Sequence, residues 1–213
     1  MKIALIGGTG FVGSAVLEEA LRRGHAVTAL ARNTGKYAAR DGLTVAQADA
    51  QDAQQVARAV AGHDAVIDAY NPGWGEAQIH DLFLKGTDAI LDGVQASGVK
   101  RVLVVGGAGS LYVAPGVQLV DTPEFPAEWK QGALAAREAL NRIRGRQQLD
   151  WTFLSPPVFL NPGERSGAYR TGGDEVPMVD GKPASITVAD LAVAIVDEIE
   201  SPKHVQKRFV AYS

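Results

Sequence analysis

The chain has 213 residues, of which 46% are apolar and 21% charged, with a net charge of -3 and no cysteine. These values are typical of one globular domain, and they exclude disulfide scaffolds, thiolate metal sites and a cysteine nucleophile. A pI near 5.8 gives no electrostatic footprint for nucleic acid, and no apolar run is long enough to span a bilayer. We therefore expect a cytoplasmic protein without a nucleic-acid or membrane partner, since a cysteine-free chain with no visible signal peptide fits a reducing compartment.

Short apolar runs alternate with amphipathic segments along the first 155 residues. The pattern predicts strands at residues 2–6, 25–31, 43–48, 64–69, 101–105 and 151–154. It predicts helices at residues 11–23, 52–61, 79–98 and 127–144, with Asp52 as an N-cap and Gly24 ending the first helix. Because strands and helices alternate, we expect an α/β fold, a Rossmann-like doubly wound parallel sheet flanked by helices.

The amino-acid composition changes after Pro156-Pro157, where glycines become frequent. Residues 167–170 and 175–179 are expected to pair as a small hairpin. Thr187 and Asp190 form a predicted capping box that opens a helix through Ile199, and residues 208–212 form a last strand. We expect a single domain over residues 1–213, divided into a cofactor-binding core (1–156), a small substrate lid (157–185) and a C-terminal helix and strand (186–213).

The sequence contains 24 glycines, and three of them follow the first predicted strand in the pattern Gly-x-x-Gly-x-x-Gly. Gly7 would make the tight turn, Gly10 would let the backbone approach a pyrophosphate, and Gly13 would let the first helix pack closely on the strand. The N-terminus of that helix offers N–H groups and a partial positive charge. Between a strand and a helix, this pattern predicts a dinucleotide site.

The end of the second strand bears on the choice between NAD and NADP. An acidic residue there would bind the ribose 2′-hydroxyl and repel a 2′-phosphate. This chain has Arg32 and no acid at that point, and a guanidinium group suits a phosphate. We therefore expect NADPH, with NADH as the alternative.

Three further loops are predicted at the same edge of the sheet. Asp49 would bond the adenine amino group, residues 69–73 would line the ribose and nicotinamide, and residues 106–110 would lie beside the reacting ring. Each loop taken alone is explained equally well by ordinary turn chemistry. Together they would line one crevice, and this is why we consider them jointly.

Five stretches resemble the atypical, extended-type short-chain dehydrogenase/reductase superfamily, to which NAD-dependent epimerases and dehydratases also belong. They are most similar to the NADH-flavin reductase branch, related to biliverdin reductase B and NmrA-like proteins. The stretches are Ile6–Gly13, Asn71–Trp74, Val104–Leu111, Trp151–Pro156 and Ile186–Glu200. The resemblance covers about residues 1 to 212 and implies a Rossmann fold that binds NAD(P)H under a C-terminal lid. With the motifs above, it gives the expected cofactor-binding residues Gly7, Thr9, Gly10, Phe11, Val12, Gly13, Arg32, Asp49, Ala69, Tyr70, Asn71, Gly106, Gly107 and Pro156.

The chain departs from that superfamily at its proton donor. Many members carry Tyr-x-x-x-Lys in the helix after the fifth strand, where the tyrosine exchanges a proton with the substrate oxygen. Here the residue four positions after Trp129 is Ala133, and no tyrosine of the chain has a lysine four positions after it. The histidine that biliverdin reductase B-like proteins have after the sixth strand is also missing, because Val158 follows the two prolines.

A missing acid favours an acceptor that does not need one. Hydride delivery to a flavin spreads charge over the ring system, so the protein mainly has to orient two planar rings. We therefore expect NAD(P)H-dependent reduction of a flavin or a similar conjugated acceptor, such as a quinone or tetrapyrrole, with flavin as substrate rather than as a bound prosthetic group. Ser110 is the candidate catalytic hydroxyl, and the candidate stacking side chains are Trp74, Tyr112, Trp129 and Phe159. Each of these aromatics, taken alone, is more often an ordinary core or surface residue than a ligand contact.

Two other functions remain open. A non-catalytic NAD(P)-sensing protein of the NmrA-like type would also keep the glycine motif and lack the dyad. A sugar-nucleotide epimerase or dehydratase is disfavoured by the missing Tyr-Lys pair and the short tail. The four histidines are scattered singly, so we expect no metal site. We expect a small-molecule partner and either a monomer or a homodimer.

Overall fold

The computed structural model describes residues 1–213 and contains fourteen strands and five α-helices. The strands are β1 (Lys2–Ile6), β2 (Ala26–Ala31), β3 (Leu43–Gln47), β4 (Ala65–Asp68), β5 (Arg101–Val105), β6 (Tyr112–Ala114), β7 (Val117–Gln118), β8 (Asp150–Ser155), β9 (Phe159–Asn161), β10 (Arg170–Gly172), β11 (Met178–Val179), β12 (Lys182–Pro183), β13 (Ser185–Thr187) and β14 (Lys207–Tyr212). The helices are α1 (Phe11–Arg22), α2 (Ala53–Val60), α3 (Ile79–Ser97), α4 (Ala127–Arg144) and α5 (Val188–Glu200). Every strand and helix predicted before residue 155 is present, with bounds that differ by no more than a residue or two.

Eight strands form the central sheet in the order β3-β2-β1-β4-β5-β8-β14-β10. Neighbouring strands run parallel, apart from the antiparallel pair of β10 and β14. The chain moves outward from β1 to β3 and then returns to β4 on the other side of β1, so the strand order reverses between β1 and β4. The predicted Rossmann-like doubly wound sheet is confirmed, and the reversal creates the crevice in which such sheets bind ligands.

Two apolar layers cover the sheet because successive residues of a buried parallel strand point to opposite faces. In β1, Ala4 and Ile6 belong to the layer that packs under α2, α3 and α4. Ile3 and Leu5 belong to the layer that packs under α1 and α5. Helices therefore cover both faces of the sheet, and the ends of its strands form the open edge.

The helix ends follow the local sequence signals. Asp52 caps α2 by accepting hydrogen bonds from the backbone N–H groups of Gln54 and Gln55. Gly24 takes a φ of 79° just after α1, as a residue ending a helix often does. None of the helices combines the length and apolarity that a bilayer span needs.

The capping box at α5 is only half present. The Thr187 hydroxyl accepts from the Asp190 N–H at 3.1 Å, as predicted. The Asp190 carboxylate does not return to Thr187, because it instead accepts from the N–H groups of Ser166 and Gly167 at 2.9 and 2.7 Å. This carboxylate therefore connects α5 to the segment that follows β9.

The predicted hairpin of residues 167–170 and 175–179 is wrong. Arg170–Gly172 instead adds to the free edge of β14 as an antiparallel strand. The real hairpin joins β11 to β12 through Asp180 and Gly181, whose φ values of 51° and 74° are those of a tight two-residue turn. The segment from Phe159 to Ala184 therefore contributes β10 to the main sheet, β9 to a parallel pair with β13, and the short β11–β12 hairpin.

The first half of this segment is fixed to the helices beneath it. Arg165 donates to the carboxylate of Glu19 on α1 at 2.9 Å, and the Tyr169 hydroxyl donates to Asp197 on α5 at 2.7 Å. Glu19 also accepts from Arg22 and Arg23. Although burial opposes its charge, these three guanidinium groups lower the pKa of Glu19 to about 2.

Candidate functional site

The crevice lies where the carboxyl ends of β1, β2, β4, β5 and β8 meet at one edge of the sheet. Every loop singled out from the sequence follows one of these strands or β3, their parallel neighbour at the end of the sheet. The parallel topology therefore brings the predicted cofactor residues to the same edge.

The glycine loop has little space for side chains. Gly7 has a φ of 79°, and a Cβ there would overlap the carbonyl oxygen of Ala69 at the end of β4. A Cβ on Gly13 would overlap the carbonyl oxygen of Gly7, so this glycine lets α1 lie directly against the loop. The Gly10 N–H donates to that same carbonyl at 2.9 Å and closes the turn. The three glycines thus have the turn and packing geometry expected of a dinucleotide motif.

The N-terminus of α1 is open to an anion. Its N-cap residue is Gly10, which has no side chain to cap the helix, and the first turn contains no acidic residue. By contrast, Asp52 and Thr187 cap α2 and α5 with side-chain oxygens. The first N–H groups of α1 therefore keep their hydrogen-bonding capacity, which suits the phosphates of a dinucleotide. Thr9 and Phe11 are exposed beside these groups, and Val12 is half-buried.

The loop after β2 is short and basic. Arg32 is exposed and makes no hydrogen bond or ion pair within the chain, and Lys36 follows it in a 3-10 turn. Asn33 shapes the loop by accepting from the Gly35 N–H at 3.0 Å. At the end of β3, the Asp49 carboxylate accepts from the Gln51 N–H at 2.9 Å. Arg32 and Asp49 remain predictions as cofactor contacts, at the edge expected for the adenosine half.

Tyr70 forms a fixed wall at the end of β4. Its ring lies so close to Gly86 of α3 that a Cβ there would overlap it. Its hydroxyl accepts from the Gln51 side chain at 3.0 Å and donates to the Leu82 carbonyl at 3.3 Å. Burial raises the pKa of this hydroxyl, so it stays protonated near neutral pH. Asn71, next along the chain, is exposed, and its side chain accepts from the Gly73 N–H at 2.8 Å.

Two residues beside the crevice were not identified from the sequence. Asp68 ends β4, is 3% exposed and accepts from the Tyr70 N–H at 2.9 Å. Burial raises the pKa of its carboxyl group to about 7. Tyr37, on the β2–β3 connection, places its hydroxyl 2.7 Å from where a Cβ of Gly8 would lie. No local sequence pattern signals either contact, since each depends on distant segments meeting at the glycine loop.

Ser110, the candidate catalytic hydroxyl, is held inside the protein. It is 2% exposed, and its Oγ accepts from the Arg208 guanidinium at 3.2 Å. Arg208 also donates to Asp174 at 2.6 Å, and so connects β14, the turn after β5 and the loop between β10 and β11. Backbone bonds reinforce this junction, because Tyr112 donates to the Asp174 carbonyl at 2.8 Å. The structure thus places Ser110 in a buried network and not on the crevice wall.

The rest of the loop after β5 is tightly packed. Gly106 faces the ring of Phe153, which a Cβ at this position would overlap, and its N–H donates to the Leu154 carbonyl at 2.8 Å. Packing within the sheet therefore explains why a glycine occupies position 106. Gly107 and Pro156 are half-buried at the ends of β5 and β8.

We name residues 71–78, 106–131 and 156–184 the acceptor edge, since these segments follow β4, β5 and β8. All four predicted stacking side chains are exposed here, with Trp74 at 60%, Phe159 at 52% and Trp129 at 51%. The Trp74 ring also lies 2.7 Å from where a Cβ of Gly132 would be, so one part of the ring packs against α4. Among the large apolar side chains that are exposed in the whole chain, only Met1 and Val205 lie away from this edge and the glycine loop; the others are Phe11, Trp74, Tyr112, Val113, Val117, Trp129, Phe159 and Met178. This concentration is typical of a binding surface for an apolar ligand.

Comparison with known proteins gives a consistent result. The sequence profile of a family described as "NAD(P)H-binding" matches residues 7–202 of the chain. The structure of a "putative epimerase" from Bacteroides thetaiotaomicron is 43% identical, with a TM-score of 0.92 over 99% of this chain and 96% of that one. A "putative NADH-flavin reductase" from Streptococcus pneumoniae is 34% identical, with a TM-score of 0.87 over 100% of this chain and 99% of that one. The 2-alkyl-3-oxoalkanoate reductase of Stenotrophomonas maltophilia is 30% identical over 84% of this chain and 61% of its own length.

Proposed function

The chain belongs to the NAD(P)H-binding family, and we propose that it is an NAD(P)H-dependent reductase of a flavin or a similar conjugated acceptor. The observation that supports this most is the pairing of two surfaces at one crevice. On one side lie the glycine loop and the uncapped N-terminus of α1. On the other lies the exposed aromatic acceptor edge.

The residues present fit a nicotinamide dinucleotide. The free N–H groups at the start of α1 would hold the pyrophosphate, and Arg32 would hold a 2′-phosphate, which favours NADPH over NADH. Ala69, Tyr70 and Asn71 would border the ribose and nicotinamide. A bound nicotinamide cofactor supplies the reducing equivalents.

In this reaction the protein would act mainly by orienting the nicotinamide ring and the acceptor ring. The Ser110 hydroxyl accepts a hydrogen bond from Arg208, and no tyrosine or histidine occupies the position of the usual proton donor. A conjugated ring can accept the charge of the hydride and take the one proton it needs from solvent, so it requires stacking and alignment more than an acid. The exposed aromatic side chains of the acceptor edge would provide the stacking.

Stopped-flow oxidation of NADPH with free flavin tests this function. We expect flavin-dependent turnover above the rate in buffer, reduced by substitutions at the acceptor edge such as Trp129→Ala. Tight NADPH binding without turnover of any flavin or quinone would overturn the reductase proposal. Such a result would favour a non-catalytic cofactor sensor. The hydrogen bond between the Ser110 hydroxyl and Arg208 is compatible with that function as well.

A further inference from the structure

The acceptor edge is acidic as well as apolar. Six of its carboxylates are exposed and make no ion pair with another residue: Glu76, Glu124, Glu128, Glu164, Glu175 and Asp180. Two others are paired, Asp121 with Arg137 and Asp174 with Arg208. Unpaired negative charge on an open surface repels anionic ligands over about a Debye length, ~8–10 Å at physiological ionic strength.

The cations of the same edge do not balance this charge. Arg165 is held by Glu19 at 2.9 Å, and Arg170 lies over the ring of Tyr212, 5.0 Å from its centroid. Lys130 and Lys182 make no ion pair either. A phosphate on the acceptor would therefore meet six unpaired carboxylates and three cations without an acidic partner, Lys130, Arg170 and Lys182.

The glycine loop and the loop after β2 have the opposite sign. No acidic residue occurs between Met1 and Leu17, or between Ala26 and Arg40, and these segments include the glycine loop, the start of α1 and the loop with Arg32 and Lys36. A dinucleotide carries its phosphates to this side. The crevice therefore separates a region that attracts phosphate from one that repels it.

We propose that the acceptor is a planar ring system without phosphate or carboxylate groups, and that among flavins the protein prefers riboflavin to FMN and FAD. This rests on the proposed reductase function and specifies its substrate class. The overall reaction takes NADPH, one proton from solvent and the oxidised flavin to NADP⁺ and the dihydroflavin. The aromatic side chains bind the ring, and the surrounding carboxylates select against an anionic tail.

The test compares riboflavin, FMN and FAD in two measurements. Quenching of flavin fluorescence gives the binding constant without turnover, and steady-state NADPH oxidation gives kcat/KM. We expect riboflavin to exceed FMN by about tenfold in both, with the difference narrowing in 0.5 M NaCl because salt screens surface charge. Equal or better use of FMN at low salt would overturn the proposal while leaving the reductase function intact, whereas no turnover of any flavin would remove that function itself.

Charge-reversal variants show whether the acceptor edge causes the preference. Glu128→Lys and Glu175→Lys together should raise kcat/KM for FMN about fivefold and change that for riboflavin by less than about twofold. Asp41→Lys is the control for each single substitution, since it changes the net charge by the same amount and Asp41 is exposed just before β3, away from the acceptor edge. If the control raised FMN use as much as either single substitution, the cause would be net charge and not this surface.

Discussion

The two halves of the crevice bind their ligands by different means. Around the glycine loop the structure offers free backbone N–H groups, small residues and the exposed cation Arg32. Along the acceptor edge it offers exposed aromatic side chains among unpaired carboxylates. Backbone groups suit a cofactor whose phosphates never vary, while side chains can be exchanged to suit a particular acceptor. Each half can therefore be disturbed without the other, and the following substitutions test this.

The largest effect should come from Gly13→Ala. The new Cβ would overlap the Gly7 carbonyl, so either the loop or α1 must move. We expect NADPH affinity to fall more than about a hundredfold, with roughly 1–3 kcal/mol lost from the free energy of unfolding. Fluorescence titration and thermal unfolding measure the two. Gly173→Ala, where a Cβ meets open space, is the control, and unchanged affinity in Gly13→Ala would contradict the packing argument.

The second effect concerns Asp68, which lies where the two halves meet. Its folded pKa of about 7 exceeds the unfolded value near 3.9, so between these pH values the folded state keeps a proton that the unfolded state has lost. The free energy of unfolding should therefore fall as pH rises from about 4 to 7 and then level off. Asp68→Asn should remove up to about 4 kcal/mol of this decline.

Urea unfolding at pH 5 and pH 8 measures the Asp68 effect. The natural chain should lose about 2–3 kcal/mol more of its free energy of unfolding between pH 5 and pH 8 than the variant does. The carboxylates with lowered pKa, such as Glu19, change stability only at lower pH, so they do not interfere. Parallel pH dependence in both proteins would show that Asp68 is ionised in the fold.

A third substitution, Arg208→Met, should weaken only the acceptor half. It leaves Ser110 and Asp174 without their shared partner, and so loosens the junction that holds Tyr112. We expect KM for the acceptor to rise about tenfold while the Kd for NADPH stays constant, since loss of a buried hydrogen-bond partner costs about 1–3 kcal/mol. Arg144→Met, at an exposed arginine without a partner, is the control. An equal loss of NADPH affinity would mean that Arg208 supports the whole fold.

The smallest effect should come from Arg32→Ala on the cofactor half. NADPH affinity should fall about tenfold and NADH affinity should hardly change, because only NADPH has the 2′-phosphate. Fluorescence titration with both nucleotides gives the ratio. Equal NADPH affinity in the variant and the natural chain would remove Arg32 from the site.

Much of the fold follows from local patterns. The run from Lys2 to Ile6 and the glycines after it predict a strand, a turn and a helix because each depends on neighbouring residues. Residues 170–172 could not be placed in this way, since their partner strand begins at Lys207. The Asp180-Gly181 pair does signal a two-residue hairpin, and it would have located β11 and β12 correctly.

The site divides in the same way. The glycine loop was predictable because its function lies in the backbone geometry of a few adjacent residues. Ser110 looked available in the sequence because its partner, Arg208, lies 98 residues away. Tyr37 against Gly8 and the burial of Asp68 are likewise contacts between distant segments, which no local pattern specifies.

The segment of residues 165–174, which belongs to the acceptor edge, is attached at both ends. Arg165 ties its start to Glu19, and Arg208 ties Asp174 to the turn after β5. The low pKa of Glu19 keeps the first attachment charged at any pH that a cell experiences. We therefore expect ligands to exchange while these contacts stay intact, so that release of the product requires no opening of residues 165–174.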